Sequence, residues 1–114
     1  MSKEKRKGSL FEVLTLEYLK SRGHKVRRNP PMGIHDEGDL VMEASGMEIV
    51  LECKNHKTME LSQWVDESFR EKDNAHAAFC AVVHHRRGRG ASRMGDSYVT
   101  MTLSEFSRLI GWLS

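Results

Sequence analysis

The stretch from Asp39 to Lys54 constrains this chain more than any other, because its side chains alternate as only a two-stranded hairpin allows. Ser45-Gly46 supplies the turn between a strand from Asp39 to Ala44 and a strand from Met47 to Lys54. With that turn at the tip, Ala44 faces Met47, and stepping outward pair by pair brings Asp39 opposite Glu52. Leu40, Met42 and Ala44 then share a wholly apolar face with Met47, Ile49, Leu51 and Cys53. Asp39, Val41 and Glu43 share the other face with Glu48, Val50, Glu52 and Lys54. One side of the hairpin is expected to be buried. The other gathers two carboxylates and an amine at its open end. A bulge would shift this register by one residue.

Directly opposed residues have β-carbons about 4.5–5.5 Å apart. Two ionised carboxylates that close repel, and without compensation one takes up a proton. A divalent cation between them removes the penalty, and Mg²⁺ is commonly held by one or two carboxylates while it keeps several waters. Lys54, two residues beyond Glu52 on the same face, adds a fixed positive charge. A metal that polarises a phosphate, beside a lysine that orients water or offsets transition-state charge, suits phosphodiester hydrolysis. The competing reading is an exposed polar face with Asp39 merely ending a loop, since an isolated Asp…Glu-x-Lys arises often by chance. The computed register, the apolar run Ile49-Val50-Leu51 leading into Glu52, and the glycine-rich loop ahead of Asp39 favour the metal site.

The remaining patterns predict a single α/β domain over residues 1–114, a mixed central sheet flanked by helices in the order αβββαββα. Ser9 and Glu12 have capping-box spacing, opening a helix that carries Leu10, Phe11, Val13, Leu14, Leu16, Tyr18 and Leu19 and stops at Gly23. His24 to Arg28 reads as a short edge strand, followed by a loop rich in turn formers up to Gly38. Leu61, Trp64, Val65 and Phe69 mark a helix from about Glu60 to Ala75, and Ala77 to His84 is apolar on both faces, a buried strand. Ser97 to Met101 is a further strand, and Thr102 with Glu105 forms a second capping box opening a terminal helix. Residues 1–7 read as a mobile basic tail and 86–95 as a mobile Arg/Gly loop.

The net charge is +2, but the cations are unevenly spread. Lys3, Lys5, Arg6 and Lys7 crowd the N-terminus; Lys25, Arg27 and Arg28 lie in an acid-free stretch; Arg86, Arg87, Arg89 and Arg93 form a third island. Three basic islands on a near-neutral chain suggest phosphate contacts to a nucleic acid, against the plainer reading of solvated faces and a floppy tail. No apolar run is long enough to span a bilayer, and no apolar segment follows the N-terminal cations as in a secretory signal, so a cytoplasmic setting is expected. Cys53 and Cys80 sit in apolar segments and read as buried free thiols rather than a disulfide. The histidines include no Cys/His spacing typical of zinc sites.

Taken together, Lys7-Gly8-Ser9 with Glu12, then Gly38-Asp39, then Glu52-Cys53-Lys54, then a helix carrying Gln63 and a hydrophobic strand resemble the PD-(D/E)XK nuclease superfamily. The closest likeness is to archaeal and phage Holliday-junction resolvases, over roughly residues 7 to 85. The resemblance implies a restriction-endonuclease-like fold and a Mg²⁺-dependent endonuclease, with Mn²⁺ able to substitute. It implies metal ligation by Asp39, Glu52, the backbone carbonyl of Cys53 and Glu12, with Lys54 as catalytic lysine and Gln63 in support. It also implies a four-way or otherwise branched DNA substrate, a homodimer, and a prokaryotic or phage setting. Gly38 stands where the name-giving proline would be, and Asp36 competes with Asp39 as ligand if the loop is short. Glu12 reads equally as a cap alone, Gln63 as an exposed helix position, and Trp64, Phe69, Phe106 and Trp112 either as core or as a dimer face. A nuclease with another DNA substrate (restriction-type, nicking or single-strand-specific) and a non-catalytic nucleic-acid-binding module are the alternatives.

Overall fold

The structure is a computed structural model in which residues 2–29 and 39–114 are described. The predicted Asp36 and Gly38 lie outside them. The elements run α1 (Lys3–Ser21), β1 (Lys25–Arg28), β2 (Leu40–Ala44), β3 (Met47–Lys54), α2 (Leu61–Ala75), β4 (Phe79–His84), β5 (Tyr98–Thr100) and α3 (Leu103–Leu113), the expected order. A short 3-10 helix, Ala91–Asp96, precedes β5.

The strands form one mixed five-stranded sheet in the order β1-β2-β3-β4-β5. Consecutive pairs are antiparallel except β3 and β4, which run parallel because α2 carries the chain back across the sheet. The hairpin register is as the alternation predicts: Ala44 pairs with Met47 and Leu40 with Leu51. Ser45 (φ 50°) and Gly46 (φ 78°) both have positive φ, the signature of a type I′ turn whose twist matches the strands it joins.

Each face of the sheet is covered. Phe11, Leu16 and Leu19 of α1 pack with Leu40, Ile49, Leu51, Cys53, Phe79, Ala81 and Val83 on one side. On the other, Val41, Val50 and Cys80 pack with Phe69 and Ala75 of α2. The hairpin's second face is therefore not left to solvent. Its middle is a second, smaller core, and only its end carries charge.

Two boundaries differ from expectation. The basic segment read as a mobile tail is the first turns of α1, capped by Ser2, whose hydroxyl accepts from the Lys5 amide at 3.1 Å. Ser9 and Glu12 lie inside this helix, where their spacing caps nothing. The strong helix formers Lys3 to Lys7 extend the helix upstream. The C-terminal end follows the prediction: Gly23 (φ 90°) follows the cap, His24 N–H bonds Leu19 O at 3.1 Å and Gly23 N–H bonds Lys20 O at 3.0 Å, a Schellman closure. The segment read as a mobile Arg/Gly loop contains the 3-10 helix, with Asp96 bonded by Arg89 (3.2 Å) and Arg93 (2.6 Å).

Candidate metal and nucleic-acid site

The carboxyl ends of the parallel strands β3 and β4 are where an open sheet leaves a crevice. β3 delivers Glu52, Cys53 and Lys54 there, and Asp39 enters from the residue before β2. The Asp39 carbonyl accepts from Asn29 N–H at 3.0 Å, and its Oδ2 accepts from Cys53 N–H at 2.8 Å. These bonds fix the aspartate across the hairpin from Glu52. Their carboxyl groups stand near enough for each to affect the other's ionisation, a juxtaposition that a shared proton or a cation would relieve.

Glu52 is 4 % exposed, and with the group ionised its Oε2 is a buried acceptor without a donor. Burial, then the adjoining carboxyls, push Asp39 up to about 8 from its ordinary 3.8 and Glu52 up to about 9 from 4.5. For Asp39 the neighbour is Glu52; for Glu52 it is chiefly Glu71. The Lys54 ammonium lies 3.9 Å from Glu52 Oε1 and 2.6 Å from Glu67 Oε1. Burial works against its charge, but the Glu67 hydrogen bond and the surrounding carboxylates outweigh it, and its pKa is raised.

Glu67 and Glu71 escape the sequence reading. Both come from α2; Glu71 is buried, and one oxygen from each of Glu52, Glu67 and Glu71 can be chosen with all three within 4.8 Å of one another. Trp64, Ser68 and Glu71 are the buried stripe of that helix, and their four-then-three spacing was the available signal. A search for apolar periodicity passes over a buried glutamate. Gln63, predicted to support the site, is exposed and does not line the cleft; one turn further on, Glu67 meets Lys54 instead.

Asp39, Glu52, Cys53 and Lys54 form the floor of a cleft of about 720 Å³, whose walls include Lys3, Lys5, Lys7, Glu12 and Lys57. Glu12 reaches it from α1 and is ion-paired with Arg28 at 2.6 Å. Of Cys53, the amide is engaged with Asp39, and the thiol is held up by burial. Both cysteines are free and buried, as expected.

The basic islands separate into two kinds. Lys3, Lys5 and Lys7, drawn inward by the helix, rim the cleft, and Arg86, Arg87 and Arg89 line an adjoining one. Lys25 and Arg27 are paired with Glu43 (2.9 Å) and Glu48 (3.1 Å), and with Arg28 they sit on β1, lining neither cleft. Arg6 and Arg93 line neither cleft. Asn55, His56 and Lys57, directly after Lys54, line both. They were legible only as the continuation of the motif.

Two neighbouring carboxylates, one with an unsatisfied buried oxygen, fit a divalent cation better than they fit each other. No family model matches the chain, and no curated protein matches it. No helix among the described residues is long and apolar enough to cross a membrane.

Proposed function

We propose that this protein is a Mg²⁺-dependent endonuclease of the PD-(D/E)XK class acting on branched DNA, with the four-way junction as its leading substrate. The observation that carries the reading is the gathering of Asp39, Glu52 and Lys54 on one cleft floor, with Asp39 Oδ2 accepting from Cys53 N–H at 2.8 Å and the Lys54 ammonium 3.9 Å from Glu52 Oε1. Asp39 and Glu52 would hold the cation, with the Cys53 carbonyl and Glu12 completing the set. The bound cation supplies charge stabilisation and a water made acidic enough to attack phosphorus. Lys54, kept protonated by its carboxylate neighbours, faces the developing charge on the phosphoryl oxygens. Lys3, Lys5, Lys7 and Lys57 bind and orient the phosphate backbone without reading bases. A cytoplasm that keeps Cys53 and Cys80 reduced is the matching compartment.

Resolution of a four-way junction needs symmetric cuts, and we assign the second active site to a second copy of the chain. The supporting feature is α3, whose Leu103 (85 %), Phe106 (42 %), Ile110 (49 %) and Leu113 (61 %) are exposed at the three-four spacing of a helix-pairing seam.

The test is cleavage of a panel of linear, nicked, flap, single-stranded and four-way DNAs in Mg²⁺. The wild type should cut the junction in preference to duplex. Asp39→Asn and Lys54→Ala should each lose at least about a hundredfold in rate while still binding. Undiminished cutting by either variant refutes the site. Cutting confined to another member of the panel keeps the nuclease and replaces the substrate. Binding without Asp39-dependent cleavage of any member identifies a non-catalytic module.

A further inference from the structure

Beside the metal cleft lies a second cavity of about 590 Å³, continuous with it through Lys7, Asn55, His56 and Lys57. Its lining contains no carboxylate, and His85, Arg86, Arg87 and Arg89 add to its basic character. A purely electrostatic groove would need nothing more, yet this one also presents apolar and aromatic surface. Tyr98 is 45 % exposed and Met59 58 % exposed, both on the cavity wall.

The sheet register shows why Tyr98 stands there. Lys54 pairs with His84 across β3 and β4, and His84 pairs with Tyr98 across β4 and β5. The three therefore form one row on one face of the sheet, which sets Tyr98 about 10 Å from Lys54, two strand spacings away. The ring is braced from behind. His84, buried and with its pKa lowered by desolvation, lies 5.4 Å from Tyr98 and 5.9 Å from Trp64. Trp64 in turn lies 5.4 Å from His56. The Arg86 guanidinium sits over the Tyr98 ring at 5.4 Å. The loop that carries it is pinned by His85 Nε2 against Arg89 O at 2.6 Å and by the Arg89–Asp96 pair.

A braced, half-exposed aromatic face under a guanidinium, in a cation-lined cavity, is the arrangement that binds single-stranded nucleic acid: bases stack on the ring while the cations track the backbone. A base inside a duplex has both faces covered by its neighbours and offers only its edges, so it cannot use this surface. We infer that this cavity receives an unpaired nucleotide next to the scissile phosphate, its base taking the place of the Arg86 guanidinium on the Tyr98 ring and its phosphate held by Lys57, Lys7 and the displaced Arg86. This inference deepens the nuclease reading and rests on it for the word scissile; the nucleotide pocket itself does not. It makes an unpaired base beside the cut, as found at a flap, a single-strand junction or an opened branch point, the feature the protein selects.

The experiment is equilibrium binding in EDTA, where no cutting occurs, of a fluorescent single strand and of a duplex of equal length. Tyr98→Leu keeps apolar cover over His84 but removes the stacking face, and Tyr98→Phe keeps the face. Tyr98→Leu should weaken single-strand binding by about tenfold with little change for duplex, and Tyr98→Phe should bind like wild type. Should Tyr98→Leu fail to fold, the wild type decides: 2-aminopurine at an unpaired position should be quenched on binding, and the same probe within duplex should not. Equal effects of Tyr98→Leu on both DNAs, or no quenching of the unpaired probe, overturns the inference. Absence of Mg²⁺-dependent cleavage by a wild type that passes both binding tests sinks the nuclease reading and leaves the pocket standing. Asp39-dependent cleavage with binding indifferent to Tyr98 does the reverse.

Discussion

At the scale of single residues, the informative pair is Asp39 and Glu52, because each is held where its charge is disfavoured. Burial and the neighbouring carboxyls raise both, to about 8 and about 9. In the unfolded chain they ionise near their ordinary values, so above about pH 4 the unfolded state holds fewer protons than the folded one. Metal-free stability must then fall as pH rises, with the loss complete only above about pH 9. A divalent cation held by them would need the ionised forms, so it would displace those protons and bind more tightly as pH rises. In EDTA the thermal midpoint should drop by several degrees between about pH 5 and pH 9, since about 1 kcal/mol moves a domain of this size by roughly 4 °C. Mg²⁺ or Mn²⁺ should recover most of the drop. Glu52→Gln, neutral at every pH, should flatten the EDTA profile and abolish the metal effect. A midpoint independent of pH in EDTA would show that the carboxyls are not held apart from water as described.

At the scale of elements, α3 depends on one buried side chain. Thr102 caps the helix as its sequence predicts, with Oγ1 accepting from Glu105 N–H at 3.1 Å. The glutamate of that capping box does not turn back to the cap. It is 2 % exposed and accepts from Cys80 N–H at 2.9 Å, from Lys72 at 3.2 Å and from Arg108 at 2.6 Å. β5 pairs with β4 only from Val82 to His84, so Cys80 has no β5 partner and the carboxylate supplies one. Glu105→Ala would strand a buried amide and the Lys72 ammonium, costing about 3 kcal/mol in urea unfolding; Glu105→Gln, which keeps an acceptor, should cost about half, and Thr102→Ala about 1 kcal/mol. A Glu105→Ala loss no larger than that of Thr102→Ala would rule out the strand-completing role. The same example marks how far sequence carries. Hairpin, register and element order are legible because alternation and turn residues act locally, and they bring Asp39, Glu52 and Lys54 together on paper. The roles of Glu67 and Glu105 are not legible because each is defined by a partner on a distant element, and Glu71 shows only as the third member of its helix's buried spacing. The start of α1 is misplaced because the capping spacing of Ser9 and Glu12 recurs by chance inside a helix that begins at Lys3.

At the scale of the whole molecule, the surface is lopsided. The cation-rimmed clefts open at the ends of β3 and β4, while α3 and the edge strand β5 expose Leu103, Phe106, Ile110, Leu113 and Val99. An apolar row of that kind is seldom left bare on a monomer. On an eleven-residue helix whose buried residue is Glu105, the row is not what holds α3 to its own sheet. Two copies meeting along it about a two-fold axis would bury the same residues on both sides, as an isologous interface requires. Phe106→Glu combined with Ile110→Glu should therefore leave the fold intact, since both residues are exposed, and should convert a concentration-dependent dimer to a monomer in sedimentation equilibrium. The consequence for junction cleavage is separable from the chemistry. If the two cuts depend on two copies held together, the double variant should still nick the junction, but in supercoiled cruciform DNA the paired cut that linearises the molecule should give way to an accumulating nicked circle. A wild type that sediments as a monomer throughout, or a double variant that linearises the cruciform as fast as wild type, would remove α3 from the assembly and leave its exposed row to another partner.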